Sequence, residues 1–180
     1  QMHRQTAANF GWEIDNTIGA TPQINTWDAD WVRFYGQQRL HFQLEMAQDK
    51  GCDLLALGEQ LIAILPAFFD TYQPAPSLLH GDLWGGNWGA DDQGKAVIFD
   101  PALYYGDRES HLAMSELFGG FPPRFYSAYR DAYPIDAAGY AVRKILYQLY
   151  HVLNHFNLFG GAYAGQARNM MQRLLAEVRG

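Results

Sequence analysis

The sequence has little of what several protein classes require. Cys52 is its one cysteine in 180 residues, which excludes an internal disulfide framework, favours a reducing compartment and leaves this thiol as a partly buried structural residue. Its 13 lysines and arginines are scattered singly and are outnumbered by 19 acidic residues, so a nucleic-acid partner is not expected. No apolar run approaches the roughly 20 residues of a membrane span, and no hydrophobic leader is visible. We therefore expect a cytoplasmic protein without a membrane or nucleic-acid partner.

The residues that are abundant predict a packed globule. Hydrophobic residues make up 48% of the chain, including 11 Tyr, 11 Phe and 5 Trp, which excludes disorder and is compatible with an aromatic-lined pocket. The length suits one domain with its own core. The formal charge of −6 gives weak support for a cationic ligand.

Hydrophobic spacing divides the chain into four stretches of one α+β, mostly helical domain. Residues 1–27 read as irregular loops with a short helical turn, 28–76 as helical, 77–108 as strands and glycine-rich loops, and 109–180 as helical. The expected helices cover 28–50, 53–69, 109–118, 122–132, 137–159 and 164–179, and the expected strands cover 77–80 and 96–99. Residues 91–94 (DDQG) predict a hairpin turn, since they are too short for a calcium loop.

One constellation in the third stretch carries chemistry. His80 and Asp82 end a predicted strand, Asn87 follows five residues after Asp82, and Asp100 ends the next predicted strand. Apart from Gly81 in place of arginine, this is the layout of a protein-kinase catalytic loop followed by a metal-binding aspartate. Asp82 can accept a proton from a substrate hydroxyl, and the oxygens of Asn87 and Asp100 suit Mg²⁺.

The same layout predicts how these side chains meet. We expect two adjacent strands, 77–80 and 96–99, to bring Asp82, Asn87 and Asp100 to one rim. Gly85 and Gly86 would let the backbone approach a metal ion or phosphates closely.

Longer stretches around this constellation resemble the fructosamine kinase (ketosamine-3-kinase) family, which is related to the aminoglycoside phosphotransferases. The segments that resemble the family are 15–19 (DNTIG), 21–23 (TPQ), 80–88 (HGDLWGGNW), 97–102 (VIFDPA), 104–109 (YYGDRE), 116–121 (ELFGGF) and 149–155 (LYHVLNH). The resemblance extends over essentially the whole chain. The run HGDLWGGN is its most specific part.

The resemblance implies the C-terminal lobe of a protein-kinase-like fold, with a small β-hairpin at the catalytic loop. It implies transfer of the γ-phosphate of ATP, with Mg²⁺, to the 3-hydroxyl of a ketosamine, a deglycation step on a small molecule or a glycated protein lysine. By analogy Asp82 is the base, and Asn87 and Asp100 are the metal ligands. Trp84, Asp15 and Asn16 fall on the substrate side, where an aromatic face such as that of Trp84 would favour a cationic amine; a core anchor for the loop is an alternative role for Trp84.

Further residues are expected to support the catalytic loop. The resemblance assigns this role to His80, Gly85, Gly86, Asp107, Arg108 and His111. His111 stands where an aspartate of the family is expected to brace the catalytic loop. We therefore expect Asp107 to take over part of this bracing.

The nucleotide lobe of a kinase is not recognisable in the sequence. Kinase-like enzymes use a lysine on that lobe to hold the phosphates, but Lys50 is the one lysine before Asp82 and lies at a predicted helix end. We therefore expect the N-terminal lobe to be absent and the chain alone to be weakly active or inactive. The absent lobe, or a second copy in a homodimer, would cover an exposed apolar face.

Three other interpretations stay open. A kinase-like phosphotransferase for an aminoglycoside, choline or another amino alcohol would use the same loop. A non-catalytic binding module could use the same cleft without turnover. His151 and His155 have the spacing of metal ligands, but their apolar helix favours structural packing over a metal site.

Overall fold

The computed structural model describes residues 1–135 and 137–179, with the side chain of Arg179 outside the description. The helices are α1 (Trp31–Phe34), α2 (Phe42–Asp49), α3 (Leu55–Ala63), α4 (Arg108–Glu116), α5 (Pro123–Ala132), α6 (Tyr140–Phe159) and α7 (Tyr163–Arg179). The strands are β1 (Asn16–Ile18), β2 (Thr21–Gln23), β3 (Ser77–Leu79), β4 (Trp88–Ala90), β5 (Ala96–Ile98) and β6 (Tyr104–Gly106). Short 3₁₀ turns lie at Met2–Arg4, Leu65–Phe68 and Leu117–Gly119.

Helix α6 is the centre of the helical core. Leu146, Leu149, Tyr150 and Leu153 repeat at helical spacing and are at most 3% exposed, so one apolar stripe of α6 is fully covered. Helices α2, α4 and α7 pack against it. Within the described residues, no helix combines the length and apolar character that a membrane span requires.

The predicted helix over 28–50 is one continuous helical stretch with an unexpected middle. Asp30 caps its start by accepting a hydrogen bond from the Arg33 amide at 2.7 Å, and Gly51 follows its end with φ of +81°, as expected of a glycine after a helix. Between α1 and α2, however, Tyr35–His41 forms a π-helix. Seven residues of π-helix are unusual, and hydrophobic spacing does not signal them.

Two expectations about strands were wrong. The stretch 1–27 was expected to be irregular, yet it contains the antiparallel hairpin β1–β2, closed at Gly19 with φ of +58°. The strands at 77–79 and 96–98 do not pair with each other: β3 pairs with β6, and β5 pairs with β4. The β4–β5 hairpin forms because Asp91 accepts hydrogen bonds from the amides of Gln93 and Lys95, which confirms the predicted turn.

A buried ion pair joins α4 to α6. The Arg143 Nε atom lies 2.7 Å from the Glu109 Oε2 atom, and the two side chains are 2% and 0% exposed. Arg143 also covers the Tyr72 ring at 4.1 Å. Because removal of either charge would leave the other buried and unpaired, this pair constrains how the two helices can pack.

We predict that Glu109→Leu lowers the free energy of unfolding by about 3–5 kcal/mol, because it strands the Arg143 charge in the core. The double variant Glu109→Leu/Arg143→Met should recover most of that loss. Urea denaturation measures both values. Lys144→Ala is the control, because the Lys144–Glu116 pair is about one-third exposed and its loss should cost less than about 1 kcal/mol. A Glu109→Leu cost as small as that of the control would contradict the prediction.

Candidate active site

The loop after β3 begins with a turn that only glycine can make. Gly81 has φ of +83°, and a Cβ atom at this position would lie 1.9 Å from the Ala102 carbonyl oxygen. The chain returning from Asp100 passes directly against Gly81 at this point. This close approach explains why glycine stands where a kinase loop has arginine.

His80 connects the two segments that carry the acidic residues. Its Nε2 atom lies 2.9 Å from the Phe99 carbonyl oxygen, and its Nδ1 atom accepts a hydrogen bond from the Asp82 amide at 3.4 Å. The ring is 2% exposed, and burial lowers its pKa, so it is neutral at pH 7. One tautomer satisfies both contacts: Nε2–H donates to Phe99 while bare Nδ1 accepts from Asp82.

Asn87 folds back onto Asp82. Its Nδ2 atom donates to the Asp82 carbonyl oxygen at 2.9 Å and to the Asp82 Oδ2 atom at 3.2 Å. Both amide protons of Asn87 are therefore committed to the loop, and Oδ1 accepts no hydrogen bond from the described residues. Burial raises the pKa of Asp82 to about 6, against the lowering effect of the Asn87 bond and with a smaller raising effect of the Asp100 charge.

Asp100 is held in an unusual backbone conformation. Its φ of +59° lies in the left-handed region, which costs a residue with a Cβ atom about 1–2 kcal/mol. It also precedes Pro101, which favours extended conformations in the preceding residue. The Asp100 side chain is exposed and accepts no hydrogen bond from the described residues, so its carboxylate is unclaimed.

These donors fit a magnesium ion. The free Oδ1 of Asn87 and the carboxylate of Asp100 are hard oxygen ligands, and Mg²⁺ commonly takes one or two protein ligands together with phosphate oxygens and water. No group of three or more His, Cys, Asp or Glu side chains suited to a metal ion occurs in the described part of the chain. An all-protein metal cage is thus not the arrangement seen here.

An aromatic wall flanks the loop. We use this name for Trp84, Phe118 and His155. The Trp84 and Phe118 rings meet edge to face at 6.4 Å, and Phe118 packs on His155 at 4.4 Å. Trp84 is 36% exposed and Phe118 41% exposed. Gly86 lies under Trp84, since a Cβ atom there would come within 2.4 Å of the indole ring, whereas Gly85 meets open space.

The other two residues expected on the substrate side serve the fold. Asp15 accepts a hydrogen bond from the Asn25 amide at 2.7 Å. The Asn16 side chain donates to the Leu103 carbonyl oxygen at 2.8 Å and accepts from Gln23 and Asn25. The Asn16 oxygen and one of its amide protons are thus used within the fold, and the residue touches the segment that follows Asp100.

Asp107 and Arg108 are anchored away from the catalytic loop. Asp107 is 0% exposed, caps α4 and accepts hydrogen bonds from Tyr72 and Tyr147. Burial raises the pKa of Asp107, and these donors oppose the rise. Arg108 donates to the carbonyl oxygens of Tyr133 and Pro134, beyond the end of α5. Neither side chain has a hydrogen bond to residues 80–87.

His111 contacts the loop through ring packing. Its ring stacks on that of His80 with centroids 6.2 Å apart and an angle of 24° between planes. Its Nδ1 atom lies 2.6 Å from the His3 Nε2 atom, and burial lowers the pKa of both groups, that of His3 to about 4. A neutral imidazole therefore packs behind His80 at the position where an aspartate was expected.

Two residues of this region were not singled out by sequence reasoning as site residues. Phe118 has a left-handed backbone with φ of +58°. A phenylalanine rarely adopts this conformation, so the sequence gave no reason to expect it. His155, considered only as a metal ligand with His151, donates from Nδ1 to the His151 carbonyl oxygen at 2.8 Å. Its packing on Phe118 agrees with the structural interpretation of this histidine.

Comparison with known proteins identifies the family. The fructosamine kinase family profile matches residues 1–177, and the chain belongs to this family. It is 49% identical to a protein of Synechocystis described as a probable ketoamine kinase, over 94% of this chain and 57% of that protein. It is 46% identical to a chloroplastic protein-ribulosamine 3-kinase of Arabidopsis thaliana, over 97% of this chain and 54% of that protein. The chain thus spans little more than half the length of these relatives.

Solved structures agree with this assignment. A crystal structure of a candidate fructosamine-3-kinase from Thermobifida fusca superposes with a TM-score of 0.87 at 36% identity, over 97% of this chain and 61% of that one. One from Haemophilus somnus gives a TM-score of 0.86 at 32% identity, over 97% and 59%. The mixed helix and strand architecture is that of these proteins.

We predict that Asp82→Asn stabilises the fold at pH 8 and not at pH 4. The folded-state pKa of Asp82 is raised from 3.8 to about 6, so the folded chain binds a proton between these values that the unfolded chain has released. The ionised carboxylate therefore opposes folding above pH 6, and its removal should add about 1 kcal/mol after allowance for screening. Urea denaturation at both pH values measures the difference. An equal effect of the substitution at pH 4 and pH 8 would contradict it.

Proposed function

We propose that this chain carries the catalytic machinery of a ketosamine 3-kinase, which transfers the γ-phosphate of ATP to the 3-hydroxyl of a ketosamine. The observation that carries the proposal is the hydrogen-bonded Asp82–Asn87 pair beside the Asp100 carboxylate, which accepts no hydrogen bond from the described residues. Family membership supports the reaction class. Because the chain spans little more than half of its relatives, the proposed activity is that of a protein that includes these residues, and we propose that the isolated chain is weakly active.

Asp82 is the proposed base of this reaction. Its pKa of about 6 leaves it ionised at neutral pH yet basic enough to take up a proton from the acceptor hydroxyl as the P–O bond forms. The Asn87 amide holds the Asp82 carboxylate in one orientation. This agrees with a reaction in which the protein contributes position and charge rather than a covalent intermediate.

Asn87 and Asp100 are the proposed magnesium ligands. A bound Mg²⁺ would neutralise charge on the nucleotide phosphates. The Asn87 Oδ1 atom would face the ion because Nδ2 is occupied by Asp82. The exposed position of Asp100 leaves its carboxylate accessible to a metal ion that enters with ATP.

The fold is proposed to be the C-terminal lobe of a kinase-like enzyme. Supporting this, the catalytic loop runs directly into the β4–β5 hairpin and then to Asp100, in kinase order. The hairpin presents an apolar surface on which Trp88, Val97, Ile98 and Phe99 are each at least 40% exposed. We propose that this surface meets the nucleotide base and the N-terminal part of a longer protein.

The aromatic wall is the proposed acceptor platform. Its exposed rings lie beside the loop that carries Asp82, and a protonated ketosamine nitrogen would gain from an aromatic face. The wall is open to solvent on the Phe118 side. We therefore propose that small ketosamines and glycated lysines on proteins are both acceptors.

We predict that the chain with ATP and Mg²⁺ forms a phosphoester on an N-substituted fructosamine, detected by ³¹P NMR. Asp82→Asn should lower the rate by about 10²–10⁴-fold, since that is the usual contribution of a general base. The rate with wild-type Asp82 should rise with pH through about 6.

Asp70→Asn is the matched control, because Asp70 is exposed and its carboxylate has no hydrogen bond or ion pair among the described residues, so the substitution should leave the rate unchanged. Choline and an aminoglycoside are the alternative acceptors in the same assay. Equal rates for Asp82→Asn and the wild-type chain, or faster phosphorylation of an alternative acceptor, would contradict the proposal.

A further inference from the structure

Side chains of the β1–β2 hairpin donate hydrogen bonds to the backbone that follows Asp100. Asn16 Nδ2 donates to the Leu103 carbonyl oxygen at 2.8 Å, and Gln23 Nε2 donates to the Ala102 carbonyl oxygen at 3.2 Å. Residues 100–103 have no regular secondary structure of their own. The side-chain amides of the hairpin therefore replace the hydrogen bonds that a strand would have supplied.

These two amides are themselves fixed by a buried network. Gln23 also donates to the Asn16 Oδ1 atom at 2.8 Å and accepts from the Tyr150 hydroxyl at 2.8 Å. Asn25 donates to the same Asn16 oxygen at 3.0 Å. Gln23 and Asn25 are each 1% exposed, so neither amide can rotate without leaving a polar atom unpaired in the core.

A buried arginine closes the network. Arg39, on the π-helix, is 0% exposed and donates to the Asn25 Oδ1 atom at 2.8 Å and to the Ile24 carbonyl oxygen at 2.5 Å. Its guanidinium lies over the Tyr104 ring at 4.2 Å. Among the described residues no carboxylate forms an ion pair with it, so neutral oxygens and aromatic faces surround this charge, and the Nε atom has no hydrogen-bond partner there. The arginine thereby holds the Asn25 end of the network in place.

The segment 100–103, which these hydrogen bonds hold, contains the strained backbone of Asp100. Asp100 has its left-handed φ directly before Pro101. Before Asp100, Phe99 is held by His80 and by Asn87. After Asp100, the Ala102 amide donates to the His80 carbonyl oxygen at 2.8 Å, and the hairpin amides hold the Ala102 and Leu103 carbonyl oxygens. A strained residue keeps its conformation only where the surroundings fix it from both sides, and the hairpin amides contribute to the side that follows Asp100.

We infer that Asn16 and Gln23 are positioning residues that hold Asp100 in its metal-binding conformation. This inference rests on the proposed metal role of Asp100. Asn16 thus acts on the reaction through the backbone at Leu103, rather than as the substrate-binding residue that the family resemblance implied. The hairpin is part of the machinery that presents the Asp100 carboxylate.

The test measures binding of Mn²⁺ with ATP to the chain by electron paramagnetic resonance, without turnover. Asp100→Ala should abolish protein-dependent Mn²⁺ binding. Asn16→Ala and Gln23→Ala should each weaken it about tenfold, the usual cost of removing a group that orients a metal ligand. Asn16→Asp should weaken it equally, because it keeps the acceptor for Gln23 and loses the donor to Leu103.

Gln148→Ala is the matched control, since Gln148 is a partly buried amide that donates to a backbone carbonyl oxygen outside the network, that of Ala113 at 3.0 Å. It should change the Mn²⁺ affinity less than twofold. Amide hydrogen exchange gives a metal-independent reading: the Ala102 amide should exchange faster in Asn16→Ala and Gln23→Ala and not in Gln148→Ala.

The outcomes separate the two claims. Wild-type affinity in Asn16→Ala and Gln23→Ala, with binding lost in Asp100→Ala, would overturn the positioning role alone. Wild-type affinity in Asp100→Ala, or no Mn²⁺ binding by the wild-type chain, would overturn the metal assignment and the inference with it.

Discussion

The site depends on one neutral imidazole that joins two chain segments. His80 donates to the Phe99 carbonyl oxygen and accepts from the Asp82 amide, so the loop carrying Asp82 and the segment carrying Asp100 are fixed relative to each other. The strands themselves do not do this, because β3 and β5 belong to different sheets. Burial keeps the ring neutral by lowering its pKa, and the ring of His111 stacks on it with centroids 6.2 Å apart. Together with the backbone bonds from the Phe99 amide to Asn87 and from the Ala102 amide to His80, this bridge places the two carboxylates in one rigid frame.

The polar groups around this bridge are arranged so that backbone strain lies at Asp100 and the nearby charges lie on Asp82 and Asp100. Gly81 allows the close passage of Ala102, and Asn87 uses both amide protons to hold Asp82. The backbone after Asp100 is tied to the β1–β2 hairpin, whose amides are in turn fixed by Arg39 and Tyr150. Asp100 can therefore keep both a left-handed backbone and a free carboxylate. Elsewhere in the core Glu109 and Arg143 pair their buried charges, whereas Arg39 has no carboxylate partner among the described residues.

The sequence was informative where spacing determines structure. The turn at 91–94 and most helix bounds follow from local patterns and were predicted, although the helix expected over 53–69 ends at Ala63 and is followed by a 3₁₀ turn at Leu65–Phe68. The pairing of β3 with β6 was not, because three-residue strands carry too little alternation to specify a partner. The π-helix at Tyr35–His41 and the left-handed Phe118 depend on tertiary packing that no local pattern records. The stretches that resemble the family do not show whether Asn16 or Asp107 faces a ligand or braces the backbone, so the roles that the resemblance implies for them stay predictions.

The most direct test of this account is the protonation state of His80. Long-range ¹H–¹⁵N NMR of the chain labelled in its six histidines, with His80→Gln to assign the signal, reports which ring nitrogen carries the proton. We predict a neutral ring at pH 7 and pH 8, with the proton on Nε2 and a bare Nδ1. A proton on Nδ1, or a doubly protonated ring at pH 7, would contradict it, because Nδ1 could then no longer accept the Asp82 amide.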